Sequence, residues 1–271
     1  MGILYVVATP IGNLEDITLR AIRILQQVSL IAAEDTRHAQ ILKKQFGLSA
    51  PITSYYEHNK TIKNNIILKA LREGDVALIS DAGTPAISDP GVEIVRLARD
   101  NGFGVCPIAG PSALSAAISV CGIAAPYFLF LGFLPNQTKK RKTIWQRLHS
   151  EEAATIFFES PHSLLNTLNE MAQELGPSRF VVILRELTKH FEEIWQGDIA
   201  DAITWAKDKK GEIVIVLSPT KTTPGIVTDQ SLAILKEMKK AGLGAKKTAD
   251  KAAEQTGLSK KELYRQYLSL Q

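Results

Sequence analysis

The chain has 271 residues, 45% hydrophobic and 22% charged, the proportions of an ordinary globular protein of one or two domains. Cys106 and Cys121 are its only cysteines and stand among apolar or small neighbours, which argues against a disulfide framework or a cysteine-held metal and for a reducing, cytoplasmic setting. No apolar run reaches the roughly 20 residues that cross a bilayer, "MGILYVVATP" carries no basic leader, and the whole net charge of +4 sits in residues 229–271, with nine Lys/Arg against five Asp/Glu. No membrane span or signal peptide is expected, and the basic tail suits a polyanionic partner.

Taken in chain order, nine short β-type runs alternate with helical segments: "ILYVVA", "SLIAAE", "DVALIS", "FGVCPI", "YFLFLGF", "ATIFFE", "RFVVILRE", "EEIWQG" and "GEIVIVLS". Continuous apolar runs suit strands covered on both faces, so an α/β protein of two lobes with mainly parallel sheets is expected, followed by a small C-terminal helical domain. Helical segments stop at Gly74, at Gly102 and at Gly176-Pro177, where glycine accepts a left-handed cap. Composition breaks at "LGFLPNQTKKRK" and "SPTKTTPGIVT" divide the chain into residues 1–130, 131–220 and 221–271.

Ligands of open parallel sheets bind beyond the carboxyl ends of the strands, and three loops there have unusual composition. "ATPIGNLEDIT" follows the first strand with Gly12 as its one glycine, which excludes the G-x-G-x-x-G of a dinucleotide fold. "SDAGTPAISDPG" puts Asp81 directly after a buried strand; Gly83 and Gly91 admit close backbone approach, and Pro85 and Pro90 stiffen the loop. "PIAGPSALSAA" sets Pro111 in a first helical turn, with Ser112 and Ala113 offering N–H groups and small side chains.

Two stretches are basic. "KKRK", Lys139, Lys140, Arg141 and Lys142, is placed to neutralise phosphates. In the tail, Ala253, Gly257, Leu258, Ser259 and Leu263 fall at helix-turn-helix spacing, with Lys260, Lys261 and Arg265 on the second helix; a basic helical cap packed on the α/β lobes explains the same pattern.

"TPIGNLEDIT", "AAEDTRHAQILKKQFG", "SDAGTPAISDPG", "GPSAL", "GFLP", "FFESPHSLL", "LRELTK" and "KGEIVIVL" resemble, in order and spacing, the bacterial 16S ribosomal RNA cytidine 2′-O-methyltransferases of the tetrapyrrole (corrin/porphyrin) methylase family. The resemblance implies two α/β domains that bind S-adenosylmethionine (AdoMet) in the cleft between them, a homodimer, and methylation of a cytidine ribose near the decoding site. It implies cofactor contacts at Pro10, Gly12, Asp81, Gly83, Thr84, Pro85, Ser112, Ala113, Phe158 and Glu159. Members usually read "ES-x-H-R" where this chain has "ESPHS", so Ser163 replaces an arginine.

Methyl transfer from a sulfonium is an in-line displacement that depends on alignment and needs no metal. A ribose hydroxyl needs help in losing its proton, and Glu34, Asp35, His38, Glu159, Glu186 and Lys189 lie on the matching motifs. Asp35 or His38 is expected to take the proton, with Asp35 the favoured choice, and Arg37 to meet a phosphate; a helix N-cap with solvated charges is the bland alternative for "EDTRH". Two competing functions stay open on the sequence: a methyltransferase of the same fold acting on a tetrapyrrole or a protein, and a non-catalytic AdoMet-sensing regulator that binds nucleic acid.

Overall fold

Residue alternation along the strands determines how the first unit is layered. The computed structural model describes residues 2–220, 229–240, 243–256 and 260–270. Contacts divide the chain into Met1–Val120 with Leu184–Glu193, and Cys121–Ile183 with Ile194–Gln271.

In the first unit, β1 (Ile3–Val7), β2 (Leu30–Ala33), β3 (Ile52–Ser54), β4 (Val76–Ile79) and β5 (Gly104–Ile108) form one sheet in the order β3-β2-β4-β1-β5. Every pairing in it is parallel. All of β4 is buried: Val76 and Leu78 join one core with Leu4, Ile67, Leu71 and Ile94, while Ala77 and Ile79 join the other with Val7, Leu25, Ile31 and Leu42. These cores take their helical side chains from α3 (Lys60–Glu73) and α4 (Val92–Asp100) on one face, and from α1 (Leu19–Gln27) and α2 (Thr36–Phe46) on the other. A sheet wrapped on both faces requires the unbroken apolar runs seen in the sequence.

The strand order has a consequence for the site. From β1 the chain passes to β2 on one side, and from β4 it passes to β5 on the other, so connections diverge where β1 and β4 pair. A topological switch point of this kind opens a crevice at the carboxyl ends of its strands.

The second sheet, which lies in the second unit apart from Leu184, Arg185 and Glu193, holds β6 (Phe128–Phe133), β7 (Ala154–Glu159), β8 (Phe180–Arg185), β9 (Glu193–Asp198) and β10 (Ile213–Leu217), ordered β6-β7-β10-β8-β9. β6 pairs with β7 in parallel, but β10 runs antiparallel to β7, so this sheet is mixed. Its core gathers Phe157, Ile183 and Ile215 with Trp145 and Leu148 of α6 (Thr138–Leu148), Leu168 and Met171 of α7 (Leu164–Leu175), and Ile199 of α8 (Ile199–Trp205). Arg179 closes one end, donating to the carbonyls of Ser218 and Leu148, and burial pulls its pKa down to about 10.

After residues 221–228, which lie outside the described residues, come α9 (Asp229–Lys240), α10 (Ala245–Thr256) and α11 (Lys260–Ser269). Leu235, Ala249, Ala252 and Leu263 make a small core of their own among these helices.

Two local expectations change. β3 is a tenth strand, only three residues long and only partly buried, in a segment without an apolar run. The helix stops at Gly102 and Gly176 are left-handed as expected, whereas Gly74, at φ 179°, is extended.

Candidate functional site

The three loops expected to carry chemistry are tied together in the first unit. Thr9 and Gly83 exchange backbone hydrogen bonds of 2.9 and 3.0 Å, and the Thr9 hydroxyl reaches the Ser80 carbonyl at 3.3 Å. The Thr84 hydroxyl donates to the Pro111 carbonyl at 3.2 Å. Pro10, Gly12, Asp81, Gly83, Thr84, Pro85, Ser112 and Ala113 therefore belong to one cluster at the ends of β1, β4 and β5. Gly83 is left-handed at φ 76°, a conformation that costs a residue with a side chain. Pro111 lies ahead of α5 (Ala113–Val120) and not in its first turn, which leaves its carbonyl facing Thr84. Thr84→Val should remove this tie at a cost of about 1 kcal/mol. A urea midpoint equal to that of the parent would show that the tie carries nothing.

Acidic residues gather where β2 and β4 end. The Asp35 N–H donates to Asp81 Oδ1 at 2.8 Å, and the Glu34 carboxylate accepts from the Asp81 N–H, so the two strand ends are reciprocally bonded. His38 Nδ1 stands 3.4 Å from Asp81 Oδ2. Asp35 caps α2 by accepting the Arg37 N–H, and it also holds the Arg37 guanidinium, which lowers its pKa to about 2. One ligand atom from each of Asp35, His38 and Asp81 lies within 4.8 Å of the others, a spacing a cation can use.

Farther along the same loop, Ala86 and Ser88 both have positive φ. Non-glycine residues seldom adopt that conformation without a reason outside the loop itself. Asp89 is next in the chain. Burial, and after it the charge of Glu34, pushes its carboxyl up to about 6, while a hydrogen bond from Ser80 acts the other way. Glu34 is raised as well, first by burial and then by Asp81.

Sequence reasoning missed what faces the first loop. The turn after β8, which groups with the first unit, is left-handed at Glu186 (φ 52°) and at the β-branched Thr188 (φ 66°). Its Lys189 pairs with Glu186 at 3.0 Å, so these two proton-acceptor candidates hold each other. A Cβ on Gly12 would stand 2.4 Å from Lys189 Cγ, 2.8 Å from Thr188 Oγ1 and 3.0 Å from the Leu187 carbonyl. The motif "LRELTK" marked this turn, but nothing in its composition announces left-handed backbone.

In the second unit, Phe158 and Glu159 end β7. Glu159 is buried and accepts from Ser160 N (2.8 Å), Ser163 Oγ (2.6 Å) and Thr167 Oγ1. Ser163, the departure from the expected arginine, thus acts inward. Arg141 also departs from its expected role, because its side chain is 11% exposed, donates to Glu170 (2.7 Å) and Thr167 (2.9 Å) and lies over Trp145. Lys139, Lys140 and Lys142 are exposed. In the tail, Arg265 is exposed on α11, Gly257, Leu258 and Ser259 lie outside the described residues, and so do the side chains of Lys260 and Lys261.

Comparison with known proteins identifies the family of the chain. Residues 3–203 match the family model of the tetrapyrrole (corrin/porphyrin) methylases. "Ribosomal RNA small subunit methyltransferase I" of Escherichia coli O157:H7 is 42% identical over 275 residues, covering 100% of this chain and 96% of that protein. The protein of the same name from Pasteurella multocida is 43% identical and covers 97% of this chain and 95% of its own. Among solved structures, uroporphyrin-III-C-methyltransferase from Thermus thermophilus superposes with a TM-score of 0.60 at 16% identity, over 81% of this chain and 95% of that one, a likeness of fold. With the family model spanning most of the chain and relatives matching its full length, this chain belongs to the tetrapyrrole (corrin/porphyrin) methylases.

Proposed function

We propose that the protein transfers a methyl group from AdoMet to the 2′-hydroxyl of a cytidine ribose in 16S ribosomal RNA, near the decoding site of the small subunit, as a cytoplasmic homodimer. The observation that carries this reading is the full-length similarity to proteins named as ribosomal RNA small subunit methyltransferases, joined to a loop cluster at the switch point of the first sheet. A tetrapyrrole acceptor is supported only by likeness of fold, which does not determine substrate.

The residues of the cluster fit AdoMet. Pro10, Gly12, Gly83, Thr84, Pro85, Ser112 and Ala113 offer backbone groups and small side chains, and Glu34, Asp81 and Asp89 offer negative charge to a cationic molecule. The cofactor supplies an electrophilic methyl group. What the chain must supply is alignment and a place for the hydroxyl proton.

His38 takes that proton. Asp35, held by Arg37 with its pKa near 2, is too weak a base. Asp81 stands beside His38 Nδ1, which leaves Nε2 for the hydroxyl, and Arg37, paired with Asp35 but mostly exposed, presents the outer edge of its guanidinium to a phosphate. Lys139, Lys140 and Lys142, with the exposed Arg265 of the tail, meet the RNA backbone.

Incubation with labelled AdoMet and small ribosomal subunits, naked 16S RNA or a tetrapyrrole precursor, with nuclease mapping of the product, tests the reading. Label is expected on one cytidine ribose. His38→Gln should lower kcat by about a hundredfold with AdoMet affinity kept, and Asp35→Asn should cost far less. Label on a tetrapyrrole, or none on RNA, would refute the proposal; equal losses in the two variants would remove His38 from its role.

A further inference from the structure

One face of β6 carries aromatic side chains, Phe130 and Phe133, that lie outside the main core of the second unit. Leu129 and Leu131 of this edge strand pack on the core, and Phe130 takes the opposite face, as strand alternation requires. Continued alternation would turn Phe133 toward the core. It does not, because the register against β7 slips: Phe130 stands opposite Ile156 and Phe133 opposite Phe158, so three steps on β6 match two on β7. Gly132, at φ 65°, supplies the bulge.

The extra residue reverses the parity of the strand beyond it. Phe133 comes onto the face of Phe130, and both rings stand edge-on to Phe158, with centroids 5.5 and 5.0 Å from it. Leu134, the next residue, is buried in the core. Phe133 itself is 60% exposed. Folding alone would favour an uninterrupted strand with this ring inside; the bulge instead presents a large aromatic face to solvent and braces it from behind.

Charge indicates what the face receives. Within ten residues of Phe133, Lys139, Lys140 and Lys142 lie exposed on α6 and carry no ion pair among the described residues, while Arg141 between them is committed to Glu170. No acidic residue occurs from Thr138 to Ser150. A stacking ring beside clustered cations is the arrangement that binds single-stranded nucleic acid, with a base on the ring and phosphates on the lysines.

We propose that Phe133, braced by Phe158 and Phe130, is a stacking platform for an unpaired base of the RNA substrate, and that Lys139, Lys140 and Lys142 hold the adjoining phosphates. This rests on the RNA methyltransferase reading and names the surface that meets the strand.

The test uses the full chain and a single-stranded RNA oligonucleotide carrying 2-aminopurine. Phe133→Ala should lower RNA affinity by about tenfold and abolish quenching of 2-aminopurine, Phe133→Tyr should restore both, and AdoMet affinity measured by calorimetry should stay within about twofold of the parent. Replacing the three lysines by glutamine should weaken binding and flatten its salt dependence. Three results would overturn the platform: unchanged RNA affinity in Phe133→Ala, a loss of AdoMet affinity in place of RNA affinity, or a change in oligomeric mass with RNA binding intact. Wild-type protein that methylates no RNA would instead defeat the functional reading itself, so the two failures are separable.

Discussion

Gly12→Ala is expected to lower methyl transfer by roughly a hundredfold while leaving the chain folded. The added methyl would have to occupy space held by the Lys189 stem, the Thr188 hydroxyl and the Leu187 carbonyl. Lys189 is a flexible side chain and can move, at the expense of its pairing with Glu186. Leu187 offers backbone and cannot move alone, because Glu186 and Thr188 on either side of it are fixed in left-handed conformations, and the Thr188 N–H is bonded to Glu192. The first loop must therefore shift, and it is bonded through Thr9 to Gly83 of the second. Overpacking of this kind costs about 1–3 kcal/mol in stability, a modest loss for a unit with two cores, whereas catalysis by alignment fails with displacements near 1 Å. Urea unfolding, AdoMet calorimetry and labelled methyl transfer separate the two effects. Full activity in Gly12→Ala would show that the turn yields freely and that the close approach has no functional weight.

The same contrast explains which parts of the molecule are legible in the sequence. Strands buried on both faces, such as β4, appear as unbroken apolar runs, and loops at the switch point appear as proline, glycine and aspartate crowded into a length no simple turn needs. β3 escapes because an edge strand of three residues buries too little to require an apolar run. The antiparallel entry of β10 escapes because its residues, buried on both faces like those of a parallel strand, carry no sign of direction. Side-chain roles are the least legible. Arg141 reads as one cation among four in "KKRK", yet one step around α6 decides that it turns inward to Glu170 while its neighbours face water. Asp35 reads equally as a cap or as an acid–base group, and the choice between them depends on where the Arg37 guanidinium lies. Pairings made across space have no periodicity to betray them.

Asp89→Asn is expected to stabilise the protein and to weaken its hold on AdoMet. A carboxyl whose pKa rises from 3.8 unfolded to about 6 folded binds its proton more tightly in the native state. The contribution of Asp89 to stability is therefore most favourable below about pH 4, falls as pH rises through 6, and carries the full penalty above that. The shift is worth about 1–2 kcal/mol after allowance for partial exposure. Asparagine keeps the shape and removes the charge, so thermal or urea unfolding should show the variant more stable at about pH 7.5 and equal to the parent at about pH 4. A loop that retains this penalty, with Ala86 and Ser88 in unfavourable backbone conformations beside it, is maintained by something other than folding. In the functional reading that something is the charge of AdoMet: Glu34, Asp81 and Asp89 complement a sulfonium that is lost on conversion to S-adenosylhomocysteine. Asp89→Asn should accordingly reduce affinity for AdoMet by about tenfold, equivalent to about 1.4 kcal/mol, and affinity for S-adenosylhomocysteine much less. Equal losses for the two ligands would mean that Asp89 shapes the loop without sensing charge, and a variant no more stable than the parent near neutral pH would mean that its carboxyl carries no burden in the folded protein.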